Sequence, residues 1–196
     1  MHHALQIAVA DDEADMRDFY QRMLTAMGHR VVGAADNGRD LVTLCRERRP
    51  DLVITDINMP GLDGIEASNE ICREEPLPII LVSAYHDAAL IERAENDHVL
   101  AYLVKPVGRK DLEPAIALAM RRYAQFKQLR TEADDLRQAL ADRKTIERAK
   151  GVLMKVGAIE EKEAFRRLQA LAVEKNRKLI DAAQMVLAVE QVLLPK

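Results

Sequence analysis

The sequence predicts an α/β fold, a doubly wound parallel sheet of five strands, followed by a long helix and a small all-α domain of three helices. Three observations carry this expectation. The first 120 or so of the 196 residues alternate between strand-like and helix-like periods. The strand-like runs end on Asp, Ser or Lys. Past Lys105 the pattern becomes continuous helix, with no glycine or proline between Pro114 and Gly151.

The five runs are "LQIAVA", "RVVGAA", "DLVITD", "PIILVSA" and "LAYLV", each short, apolar and rich in Val, Ile or Leu. Between them lie charged segments with helical spacing, such as "ADMRDFYQRMLTAMG". Short buried strands alternating with amphipathic helices specify a parallel sheet covered on both faces. In such sheets ligands bind beyond the carboxyl ends of the strands. The first strand runs into Asp11 and Asp12, the third ends at Asp56, the fourth at Ser83, and the fifth at Lys105 followed by Pro106. Any one of these residues has a plain reading as a turn former or helix cap. Together, on one edge and with a lysine, they read as a site.

Three carboxylates at contact distance repel by roughly 4 kcal/mol per pair at an effective dielectric near 20, so the cluster calls for a cation. Oxygen-only ligands suit Mg²⁺ or Mn²⁺, and no soft ligand nearby favours zinc. A divalent ion and Lys105 would neutralise the oxygens of a phosphoryl group, Ser83 would hydrogen-bond one of them, and Asp56 could attack phosphorus.

Composition limits the alternatives. The net charge of −3 gives no global attraction to nucleic acid or membrane, so such a partner needs a local patch. The longest apolar runs fall short of a membrane span, and the N-terminus turns acidic at once; a cytoplasmic protein without a membrane partner is expected. Cys45 and Cys72 are isolated in helical segments and read as reduced structural thiols.

The segments "VADDE", "DLVITDINMPGLDG", "LVSA" and "AYLVKP" resemble the flavodoxin-like receiver domain of two-component response regulators, over about residues 5–121. The resemblance implies that Asp56 is the phospho-acceptor, served by a sensor histidine kinase. It implies that Asp12, Asp56 and the main-chain carbonyl of Asn58 hold Mg²⁺, with Asp11 acting through a bound water. Ser83 and Tyr102 would be the switch pair, the hydroxyl moving to the phosphoryl oxygen and the ring following; simple packing at a strand edge is the alternative for Tyr102. Two departures lie near the face that moves: Asn96-Asp97-His98 stand where small residues are common, and Val107 where an aromatic is common.

After Pro114 some 35 helical residues would span about 50 Å. Over residues 122–142, Phe126, Leu129, Ala133, Leu136 and Leu140 recur at spacings of three and four. This seam fits either a helix packed back on its own chain or a short parallel coiled coil in a dimer formed on phosphorylation. The remainder reads as helices whose stripes, including Ile146, Leu153, Phe165, Leu168, Leu171, Leu179, Ala183 and Val186, should form one small core.

This C-terminal part has no histidine, no cysteine, no Gly-rich phosphate loop and no Ser-His arrangement, so an enzymatic output is not expected. Between Arg143 and Lys178 eleven Lys and Arg outnumber five Glu, the electrostatic footprint of a nucleic-acid site or else an ordinary solvated surface. "RKTIERAKGVLM", "EAFRRLQALA" and "NRKLIDAA" resemble the ANTAR domain of bacterial antitermination regulators, over about residues 127–191. The resemblance implies binding of hairpin RNA in nascent mRNA leaders. Gly157 comes one residue early for that family, and Glu160 holds the usual Ser or Thr cap position. Gly151, mid-helix, costs about 1 kcal/mol against alanine. Ala149 and Gly151 as a bare spot for nucleotides, with Arg148, Lys150 and Lys155 supplying charge, is one explanation; close packing of the third helix on Gly151 is the other. A DNA-binding helix-turn-helix around "KVGAIEEKEAF" and a protein-docking module are the rival outputs.

Overall fold

The computed structural model describes residues 4–84 and 99–193. The Asn96-Asp97-His98 departure lies outside them. The chain divides into two compact units, one ending at Lys127 and one beginning at Gln128.

The first unit contains five parallel strands: β1 (Gln6–Ala10), β2 (Arg30–Ala35), β3 (Leu52–Asp56), β4 (Ile79–Ser83) and β5 (Val99–Val104). Their order in the sheet is β2-β1-β3-β4-β5. Helices α1 (Ala14–Ala26), α2 (Gly38–Arg48) and α3 (Gly64–Glu74) and the start of α4 (Arg109–Gly157) cover it. The two-residue period of the strands sorts the core into two layers. Ala8, Ala10, Val53, Ile79 and Leu81 pack with α2 and α3 through Leu41, Val42, Ile65 and Ile71. Ile7, Val9, Ile54, Ile80 and Val82 pack with α1 and α4 through Tyr20, Leu24, Leu112 and Ile116. Val107 belongs to this second layer at 6% exposure, so an aliphatic side chain fills the space after the Lys-Pro pair. Both cysteines are free thiols, in α2 and α3 as expected. Burial pushes the Cys45 thiol up to about 12, which keeps it protonated and inert.

The sheet's connectivity sets where a ligand can sit. The chain reverses direction across the sheet between β1 and β3, and the crevice beyond their carboxyl ends is the topological switch point. The loop from β3 to α3 closes on itself there: the Gly64 N–H donates to the Ile57 carbonyl at 2.9 Å. A capping box follows, with Asp63 and Glu66 each accepting the other's backbone N–H.

The second unit contains the later part of α4, then α5 (Glu161–Glu174) and α6 (Leu179–Leu193). Its buried core is Ala149, Leu168, Ala172, Ala182 and Ala183, edged by Ile146, Leu153, Leu171, Leu179, Val186 and Leu187. Four alanines among five core residues let the helices approach closely but bury little apolar area. One residue departs from expectation: Phe165, assigned to this core by its helical spacing, is 36% exposed and lies outside it. Between α4 and α5 the left-handed residue is Ala158, at φ 48°, while Gly157 stays in the helix. The early glycine thus leaves an alanine in the conformation that glycine suits best. Glu160 occupies the N-cap of α5 and makes no side-chain cap bond.

Candidate functional site

Asp11, Asp12 and Asp56 each bring one carboxylate oxygen into a cluster whose members lie within 4.8 Å of one another. Asp11 is fully buried and Asp56 is 5% exposed, whereas Asp12 faces solvent. Lys105 joins the two buried acids, its Nζ donating to Asp11 Oδ2 at 2.9 Å and Asp56 Oδ2 at 3.2 Å. Strand pairing carries it there, since the Lys105 N–H donates to the Ser83 carbonyl at 2.8 Å. The other oxygen of each acid takes a backbone N–H, Glu13 to Asp11 Oδ1 at 3.0 Å and Ile57 to Asp56 Oδ1 at 2.9 Å. Both carboxylates are therefore fixed in orientation before any ligand arrives.

The electrostatics are unbalanced. Burial, with the Asp11 charge adding to it, raises the Asp56 carboxyl above the ordinary range despite Lys105. Burial alone would lower Lys105, but its bonds to Asp11 and the charges of both acids outweigh it and hold the ammonium above its usual value. A buried acid held up in this way lacks positive charge. The donor set is oxygen only and partly open at Asp12, which fits a hard divalent ion such as Mg²⁺. Ser83 is buried at the end of β4. Tyr102, on β5 opposite Leu81, is half-buried and packs against the α2–α3 layer. Asn58 is exposed two residues past Asp56.

Sequence reasoning missed four contributors. Arg17 donates from Nη1 to the carbonyls of Asp11 and Asp12, at 2.8 and 2.9 Å, and pins the acidic loop. Its place one turn into α1 was the available signal. Glu13 lies 3.9 Å from Lys105 Nζ. Gly64 sits so close to Asp56 that a Cβ there would strike the Asp56 carbonyl. The Tyr20 hydroxyl is buried with no hydrogen-bond partner among the described residues; burial, then the charges of Asp11 and Asp56, raise it above the usual tyrosine range.

On the second unit, the structure separates the candidate residues. Arg148, Gly151 and Lys155 are exposed. Ala149 is fully buried in the core, so it is no part of a bare surface. It belongs to one buried cluster with Leu168, Ala172, Ala182 and Ala183. Lys150 is also not the free cation expected. It is 7% exposed, with Nζ 2.9 Å from Glu147 and 2.6 Å from Glu161, and lies 5.8 Å from the Phe165 ring centroid. The bonds its ammonium donates to Glu161 and Glu147 raise its pKa and hold it as a brace between α4 and α5.

Gly151 resolves differently. A Cβ there would meet nothing within 4 Å, so the glycine is not needed for a helix to pack against it. Replacing it with alanine should stabilise the second unit by about 1 kcal/mol, read as a higher melting temperature. A destabilised Gly151→Ala protein would restore the packing explanation. Three of the seam residues are largely exposed, Leu129, Leu136 and Leu140 at 66, 68 and 61%, while Phe126 and Ala133 are half-buried.

A five-stranded parallel sheet with a paired-aspartate, lysine and serine edge, followed on the same chain by a small basic helical unit, defines a two-unit protein whose first unit is of the doubly wound α/β class. Comparison with known proteins makes the class specific. Residues 7–117 match the response regulator receiver domain family and residues 134–187 the ANTAR domain family. The transcriptional regulatory protein PdtaR of Mycobacterium tuberculosis is 38% identical over 182 residues, covering 93% of this chain and 89% of that protein. AfsQ1 of Streptomyces coelicolor is 39% identical over 116 residues, 59% of this chain and 51% of that regulator. Among solved structures, a receiver domain protein from Clostridium thermocellum aligns with a TM-score of 0.58 at 29% identity, over 63% of this chain and 99% of that one. The chain belongs to the two-component response regulators with a receiver domain and an ANTAR output. No helix among the described residues is long and apolar enough to cross a membrane.

Proposed function

We propose that the protein is a cytoplasmic response regulator, phosphorylated on Asp56 by a sensor histidine kinase, whose phosphorylated homodimer binds hairpin RNA in nascent mRNA leaders to antiterminate transcription. The receiver spans residues 5–121, a helical linker 122–142, and the overlapping RNA-binding output 127–191. The observation that carries this reading is the buried Asp56 joined to Asp11 through Lys105, on the same chain as an ANTAR domain.

Asp56 Oδ2 forms the new O–P bond as the P–N bond of the donor phosphohistidine breaks. Lys105 accompanies the oxygen that becomes phosphorylated and offsets the developing charge. Asp11, Asp12, Asp56 and the Asn58 carbonyl would hold Mg²⁺ or Mn²⁺, which supplies the remaining charge neutralisation. The phosphoryl group adds about −1.5 to −2 charges beside Lys105, and Ser83 and Tyr102 relay this to the dimer face. The reaction is a stoichiometric modification of the protein and needs no enzymatic turnover by the output.

Exposed leucines on an otherwise charged helix favour a second copy over solvent, so the seam through Phe126, Leu129, Ala133, Leu136 and Leu140 is the dimer contact. Arg148 and Lys155, with open backbone at Gly151, face the RNA. Acetyl phosphate and Mg²⁺ should shift the wild-type protein from monomer to dimer in sedimentation, and Leu129→Lys with Leu136→Lys should keep it monomeric although phosphorylated. An unchanged oligomer on phosphorylation would rule out this coupling. Binding to hairpin RNA, and not to duplex DNA, is expected of the dimer. Preference for duplex DNA would instead select the helix-turn-helix reading, against which the full burial of Leu168 on α5 already weighs.

A further inference from the structure

From Gln128 to the end of the sequence there is one aromatic residue, Phe165. A unit whose core is mostly alanine has much to gain from burying its one large ring, yet Phe165 stays 36% exposed on α5. The ring is not loose. The Lys150 ammonium sits 5.8 Å from its centroid and is itself held by Glu147 and Glu161, so a paired cation braces the aromatic from the neighbouring helix. Next to Lys150 in the chain comes Gly151, with open space where a side chain would project. On α5, Lys162 and Arg166 flank the ring in sequence, both exposed.

We propose that Phe165 is a stacking platform for an unpaired nucleobase, an inference that rests on the RNA-binding reading and names the part of the RNA this surface takes. Loop bases that have left the helical stack present a flat π-face, and an exposed ring fixed by its neighbours receives one without first being ordered. Phosphates on either side of the stacked base meet Lys162 and Arg166. Lys150, its charge already shared between two carboxylates, holds the ring in place and contacts no phosphate. The platform contributes affinity for an unpaired base more than base identity, because every base has a π-face.

The test uses the full chain, phosphorylated, and a stem-loop RNA selected by the wild-type protein from a pool with randomised loops. Phe165→Leu should weaken binding by about 5- to 150-fold with an unchanged salt slope, since stacking releases no counterions. Phe165→Trp should bind at least as tightly as wild type. An abasic nucleotide at one loop position should cost the wild type a similar factor and cost Phe165→Leu nothing further. Should Phe165→Leu melt early, the abasic series on wild type and Phe165→Trp decides alone. Full-strength binding by folded Phe165→Leu, or no loop position at which base removal matters, overturns the platform while leaving RNA binding intact. A wild-type chain that retains no RNA from the pool overturns the RNA reading itself, and the platform with it.

Discussion

Asp56→Asn should incorporate no phosphate from acetyl phosphate and Mg²⁺ under conditions that label the wild type fully. The substitution keeps the shape of the side chain and removes the nucleophilic oxygen, so the loss should be complete. Full labelling of the variant would remove Asp56 as the acceptor. The same variant should also melt higher than wild type in the absence of metal. Burial and the Asp11 charge raise the folded-state pKa of Asp56, so folding favours its neutral form. For an acid raised in this way, the favourable contribution is present below its unfolded pKa and is lost as pH rises through the folded value. At neutral pH wild-type Asp56 carries that penalty and the amide does not. The difference in melting temperature should therefore shrink as pH falls through the window between those two values. Mg²⁺ should raise the wild-type melting temperature more than that of Asp56→Asn.

Gly64→Ala should be the most disruptive single-methyl change in the receiver. A Cβ at Gly64 would strike the Asp56 carbonyl oxygen, with the Asp56 carbonyl carbon at 3.0 Å and Ile57 Cα at 3.1 Å. These are backbone atoms at the end of a fully buried strand, and they cannot swing aside as a side-chain tip would. Relief requires moving the acceptor itself, or breaking the 2.9 Å bond from Gly64 to Ile57 that closes the loop. A cost of about 3 kcal/mol, the upper end for overpacking, is expected. It should appear as a melting temperature lower by roughly 10 °C and as slower phosphorylation. Gly61→Ala is the informative control. Gly61 has a positive φ of 78° but nothing within 4 Å of a Cβ, so only the backbone preference, about 1 kcal/mol, is at stake. Equal melting of Gly64→Ala and wild type would contradict the tight approach.

The receiver was legible in the sequence because its signals are local and doubled. Each strand is a short apolar run, and four of the five lead directly into a residue that chemistry singles out: Asp11, Asp56, Ser83 and Lys105. A parallel sheet must place those ends together, so strand order alone assembles the acidic centre. The contribution of Gly64 was not legible, and that of Arg17 showed only in its place one turn into α1. Arg17 acts through carbonyls of the acidic loop and Gly64 through the absence of a side chain, and neither leaves a pattern in composition.

In the output unit the sequence by itself determined the helices, the excess of positive charge and the family resemblance. Helical periodicity could not say which side of each stripe faces in, because Ala149, Lys150 and Gly151 at successive steps of α4, and Phe165 beside charged residues on α5, leave several faces open to the core. Tertiary packing made that choice. It took the small Ala149 into the close helix contact and drew Lys150 against two glutamates. It left Gly151 open and Phe165 at the surface. The physical reason is steric and electrostatic together: a small side chain fits the contact between helices, and Lys150 from its place on α4 reaches one glutamate on its own helix and one on α5.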